Sequence, residues 1–277
     1  MILSTASPTL VPGGALLLIG VAAVLYLLSA LPAGGVRHPS AAALFGGFLL
    51  HGVLLLIDIG GFGQSEPGAR LGFGPVLSMT VWLVIAVYTV ESRLVPLPAV
   101  RRWLGAAGVL AVVLAGLFPG DPKVLTSPLA PLHFALGVGS YGLFGAAVLH
   151  ALLLDAAERR MRPAQAGAPR AASGPAFGMP LLQLERLTFR FVEAGFAVLT
   201  ATLVLGIVTT VEWRWGDHKA AFSLLAWGVF AALLVGRRLR GWRGRQATRW
   251  LYVGAVLLLL AYAGSRFVLE VMLSRGA

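Results

Sequence analysis

Five histidines and no cysteines set the limits of the chemistry open to this chain of 277 residues. Without thiols there are no disulfides, thiolate metal sites, thiol catalysis or CxxC redox chemistry. Imidazole remains, and neutral histidine is a good nitrogen ligand for a transition metal. No Ser/His/Asp order, paired carboxylates or phosphate-binding loop accompanies the histidines. The glycines of ALGVGSYGLFG lie within an apolar run with no strand before them, which suits helix packing better than phosphate binding. Hydrolysis and ATP use therefore have no support, and we expect the chain not to be an enzyme.

What the histidines can do depends on the elements that carry them. Hydrophobic residues make up 58% of the chain and charged residues only 12%, against roughly 25% charged in soluble domains. The composition is that of a membrane protein. A net charge of +11 could otherwise suggest nucleic acid, but little soluble face is left to bind phosphates, so no nucleic-acid partner is expected.

A spanning helix needs about 20 mainly apolar residues. Eight runs qualify: 13–33, 41–60, 73–91, 103–118, 129–154, 187–211, 219–236 and 250–273, the fourth being the shortest. The N-terminus lacks the basic n-region of a secretory signal, so the first run is expected to be a mature span. The predicted fold is an all-α, polytopic transmembrane helical bundle, a single integral-membrane domain over 1–277. Five helices precede an Ala/Gly/Pro/Ser-rich linker at 157–180 and three follow it. LLQLERLTFR, just after the linker, is amphipathic and could lie along the inner surface. Arg190 with Glu193, and Arg266 with Glu270, have the spacing of intrahelical ion pairs.

The loops after helices one, three, five and seven carry fourteen Arg residues, whereas the opposite loops hold only Arg70, Lys123, Arg214 and Lys219. The positive-inside rule then puts the basic loops in the cytoplasm and both termini outside. His38 falls in a cytoplasmic loop. His51 lies near mid-membrane in helix two. His133 starts helix five on the outer side, and His150 lies seventeen residues on, about 25 Å lower at 1.5 Å per residue. His218 begins helix seven, again outside.

His133 and His218 thus share one membrane level at the outer ends of two helices. Imidazoles from separate helices can hold a haem iron or another metal, and a bundle fixes their rotamers. Trp213 and Trp215 of EWRWGDHK could face a porphyrin edge, with Arg214, Lys219 and Arg266 near its propionates. The plain alternative is that these tryptophans are interface anchors and the histidines wet hydrogen-bonding residues. His51 is costly at its depth, since an ionisable side chain there finds few partners, and so it too is a candidate ligand. His150 could be interfacial.

Four stretches together resemble the cytochrome c assembly, haem-handling family of the CcsA/CcmC type, and more closely its YpjD/HemX-like branch. They are HGVLLL with GFGPVLSMTVWL, PLHFALGVGSYGLF, WRWGDHKAAFSLLAWGVFAALL, and GWRGR before the last helix. The resemblance implies a bacterial inner-membrane protein that binds haem, with a tryptophan-rich segment outside the cytoplasm. It gives His51 the membrane-histidine role and His133 the external-ligand role. Many members have proline at the position of His218. The tryptophan segment is shortened to WRWGD here, LLVGRRLR holds no histidine where longer relatives have one, and His150 could replace that ligand.

The reading is therefore a haem b-binding, haem-handling protein of cytochrome c biogenesis or haem transport. Its implied partners are the lipid bilayer, haem, and other cytochrome c maturation proteins or a cytoplasmic tetrapyrrole-synthesis enzyme. The alternatives are a HemX-like membrane scaffold or regulator of tetrapyrrole biosynthesis, or a haem-free small-molecule transporter.

Overall fold

In lipid every backbone N–H and C=O must be satisfied within its own segment, so long apolar stretches fold as helices. The computed structural model describes residues 13–31, 40–60, 69–93, 98–120, 122–123, 128–161, 180–209 and 218–264. Among these residues the helices are α1 Gly13–Ala30, α2 Ser40–Gly60, α3 Phe73–Glu91, α4 Pro98–Leu117, α5 Ala130–Met161, α6 Leu181–Thr209, α7 His218–Arg240 and α8 Gly244–Leu259. A π-helical turn, Leu260–Gly264, continues α8. Two short strands, β1 Ala69–Arg70 and β2 Pro122–Lys123, pair antiparallel beside the outer ends of α3 and α4. Six of the helices are long and apolar enough to cross a membrane, and the apolar helix Gly14–Ala30 is shorter. The all-α polytopic bundle is thus the observed architecture.

Several boundaries differ from the expectation. The fourth helix is not the shortest: it begins at Pro98 and has 20 residues, because proline suits the first turn and the Arg101 and Arg102 stems can lie along apolar surface. Helix α5 runs on to Met161, into the expected linker, and its 32 residues extend about 48 Å, past a hydrocarbon core of about 30 Å. LLQLERLTFR does not form a separate surface helix; it is the start of the continuous α6. Leu184 and Phe189 are buried there, Leu184 against Leu154 of α5, and Glu185 lies 3.5 Å from Arg237 and 3.6 Å from Arg243 of the α7–α8 corner. That interhelical packing holds the segment upright. Arg190 and Glu193 are exposed and form no ion pair among the described residues, while Arg266 and Glu270 lie outside them.

Two apolar clusters organise the bundle. One gathers buried residues of α1 to α4 around Tyr26, Ile85 and Val112. The other gathers α5 to α8 around Phe144 and Phe230, whose rings stack with centroids 3.8 Å apart. The halves meet where α3 packs on α5. A Cβ at Gly142 would lie 2.6 Å from Leu83 Cδ1, and one at Gly145 would lie 2.7 Å from Val84 Cγ2, so small residues permit this approach, as at other membrane helix interfaces. At the cytoplasmic end, Asp155 of α5 accepts hydrogen bonds from Thr248 (3.1 Å) and Tyr252 (2.9 Å) of α8. Gly241, at φ 65°, occupies the left-handed conformation that ends α7.

Candidate functional site

His133 sits in the first turn of α5, its backbone N–H donating to Leu129 O at 3.0 Å. Its ring lines a cavity of about 300 Å³ between α5, α6, α7 and the end of α8, at the low end of the roughly 300–1,000 Å³ usual for ligand pockets. Most walls are apolar. Four of the five hydroxyls that line it are tied to backbone carbonyls: Ser140 donates to Gly137 O and Thr202 to Val198 O, within their own helices. Tyr141 donates to Leu258 O, and Tyr262, carried on the π-helical turn, donates to Leu71 O at 2.6 Å. The Nδ1 atom of His133 is different: it is buried and has no hydrogen-bond partner. Gly206 of α6 keeps the space beside the ring open, because a Cβ there would stand 3.0 Å from His133 Cε1. On the far wall the Lys219 ammonium lies 5.8 Å from the Tyr262 ring centroid, within cation–π range.

The unpartnered ring nitrogen suits a metal-bearing group. A buried imidazole nitrogen without a partner costs free energy unless something binds it, and a neutral ring is a nitrogen ligand. His218 is the first residue of α7, immediately before Lys219, which lines the cavity. The side chain of His218 lies outside the described residues, as do Trp213, Trp215, Arg266, Arg214 and His38. Among the described residues no group of three or more His, Asp or Glu gathers as an all-protein metal site.

His51 and His150 are not part of this cavity. His51 is 1% exposed, and its ring bridges the Tyr26 hydroxyl of α1 (Nδ1, 3.0 Å) and the Ser78 hydroxyl of α3 (Nε2, 2.6 Å). A neutral imidazole donates through one nitrogen and accepts through the other, and two hydroxyls satisfy both. Ligation through His51 requires giving up one of these bonds. A Cβ at Gly108 of α4 would stand 2.8 Å from the Tyr26 ring, so that glycine helps place Tyr26. Replacing Ser78 by alanine is expected to remove the hydroxyl partner of the buried Nε2 and to lower unfolding free energy by about 1 kcal/mol. Reversible denaturation in mixed micelles measures this.

His150 is 2% exposed. Its Nδ1 bonds Ala146 O at 2.8 Å, one turn earlier, and its Nε2 lies 3.1 Å from Glu91 Oε2 at the cytoplasmic end of α3. His51 and His150 therefore lie at different depths, since Ser78 and Glu91 are about 20 Å apart along α3, and the two rings share no neighbour that would let His150 stand in as a ligand beside His51. The hydroxyl partners Tyr26 and Ser78 were not singled out as site residues. Tyr26 and Ser78 do lie part-way along apolar helices, and matching their depths to that of His51 is the signal that finds them. Nothing in the sequence marks Gly206 or Tyr262 as cavity walls.

The comparisons with known proteins follow the same lines. The profile described as "Cytochrome C assembly protein" matches residues 48–273. The chain is 27% identical over 253 residues to the inner membrane protein YpjD of Escherichia coli strain K12, covering 86% of this chain and 89% of that protein. It is 27% identical over 217 residues to the cytochrome c biogenesis protein CcsA of Synechococcus sp. strain CC9902, covering 68% of this chain and 71% of that protein. With CcsA of Gloeobacter violaceus the identity is 35% over 98 residues, covering 34% and 29%. No solved structure gives a significant match. A family match spanning most of the helices, on a bundle of this architecture, places the chain in the cytochrome c assembly protein family as a multi-pass inner-membrane member.

Proposed function

We propose that this protein binds haem b in the outer cavity through His133 and handles haem for cytochrome c assembly. The observation that carries the reading is the buried, unpartnered Nδ1 of His133, a residue that lines a cavity with mostly apolar walls. The names of the CcsA relatives, cytochrome c biogenesis proteins, support the pathway. Bound haem would supply an iron with a coordination position open to imidazole.

The chain's own residues hold and orient. His133 offers its ring nitrogen, and Gly206 leaves room beside it. The hydroxyls of Tyr141 and Tyr262 are tied to backbone carbonyls and do not compete as donors. We assign the second ligand to His218 and the outer contacts to Trp213, Trp215 and Arg266, on their position in the chain. The protein performs no covalent chemistry in this reading; it hands its cargo to other maturation proteins at the outer face.

The test is the absorption spectrum of the detergent-purified protein before and after dithionite, with and without added haem. A Soret band with reduced α and β bands is the expected result. Absence of any band after haem is supplied overturns the reading. A Gly206→Leu protein is expected to take up at least about tenfold less haem, since its side chain fills the space against the His133 ring.

A further inference from the structure

A second cavity lies on the other side of the bundle, between the outer halves of α1, α2, α3 and α4 and the strand β1. Its polar wall consists of His51, Asp58, Arg70 and Ser78, and its volume is about 30 Å³. Arg70 is 6% exposed, and its Nε is buried with no hydrogen-bond partner. A buried guanidinium N–H left unpaired is costly, and ordered water is the usual remedy where a polar site has room for it. At roughly 10–15 Å³ for each water position, the cavity holds about two molecules.

We propose that this cavity is a water-binding site that connects mid-membrane His51 to the outer aqueous phase and not to the cytoplasm. Asp58 is seven residues after His51 on α2, two helical turns and about 10 Å nearer the outer face. Arg70 lies on β1, which pairs with β2 outside the helices. Water bridging Arg70 and Asp58 to the Ser78 hydroxyl completes a polar file that ends at the His51 ring and its Tyr26 partner. α4 contributes Val112, Ala115 and Gly116 to the wall and no ionisable group. Toward the cytoplasm the file is closed by the buried side chains of Leu44, Ile85, Val100 and Leu104. The proposal does not depend on haem binding at His133.

Hydroxyl-radical footprinting of the full chain in nanodiscs, read by mass spectrometry, tests it, because radicals formed from bound water label the residues that touch it. His150 is the internal control, being equally buried at 2% against 1% for His51. His51 is expected to be modified at least about fivefold faster than His150, as a residue in contact with bound water would be. Equal rates overturn the proposal. The second arm uses sidedness: the chain has no cysteine, so Ser78→Cys provides a single thiol for Ag⁺, an ion small enough to follow water. Ag⁺ is expected to block later alkylation of the denatured protein when added to right-side-out vesicles and not to inverted ones. Protection from the cytoplasmic side, or from neither side, also overturns it.

Discussion

Replacing His133 by alanine is expected to reduce haem retained through purification by more than about tenfold, a loss of about 1.4 kcal/mol or more in binding. The reason is local. Of the polar groups that reach the outer cavity, the hydroxyls of Ser140, Tyr141, Thr202 and Tyr262 are tied to backbone carbonyls, whereas His133 Nδ1 is buried and uncommitted. His51→Ala and His150→Ala are the comparison. His51 is held by two hydroxyls and His150 by Glu91 and a carbonyl, so each loss disturbs packing at a different place in the bundle. Both variants are expected to keep the haem spectrum of the parent. A His133→Ala protein with an unchanged reduced spectrum would remove His133 as the ligand. A His51→Ala protein that lost the spectrum while keeping its thermal stability would move the site to the other half of the bundle.

Gly74→Ala is expected to destabilise the protein severely, by about 3 kcal/mol or more. Gly74 opens α3 against the end of α4, where its N–H donates to Phe118 O at 3.3 Å. A Cβ there would stand 2.5 Å from Leu114 O, 2.6 Å from Phe118 O and 2.8 Å from the Ala115 Cα. All three are backbone atoms, which no rotamer change can move. The two helices must separate, and the outer wall around Ser78 and Arg70 opens with them. Thermal denaturation in detergent measures the effect. A Gly228→Ala protein serves as the reference, since a Cβ at Gly228 would meet nothing within 4 Å. A Gly74→Ala midpoint equal to that of Gly228→Ala would show that the α3–α4 contact is looser than its geometry.

Much of the bundle is legible in the amino-acid sequence. The span 73–91 coincides with α3, and the start of α1 and the end of α2 agree as well. Burial of long apolar runs in lipid leaves the backbone no option but helix. The linker was read too long because α5 keeps its helix through Asp155 and Glu158 to Met161. Those polar residues look like loop in a hydropathy window, but they are held by contacts with α8 that no window contains. LLQLERLTFR departs from a surface helix for a related reason. Its amphipathic pattern is real, but the groove that takes its apolar face is the side of α5 rather than the lipid interface.

The amino-acid sequence by itself determined the membrane class, most of the helices and the family, and its arginine placement predicts the orientation. Each depends on local composition or on a pattern along the chain. It also picked out the histidines, because an ionisable group in an apolar run stands out wherever it lies. Tertiary structure alone decided what each ring touches. His51 bridges Tyr26 and Ser78 whereas His150 meets Glu91, and Ser78 and Glu91 lie about 20 Å apart along α3. How deep a ring sits and what it touches depend on how its helix packs against its neighbours and not on residue counts along one helix. The same holds for the outer cavity. His133, Gly206 and Tyr262 lie on three different helices, and only the packing of those helices leaves one buried nitrogen without a partner.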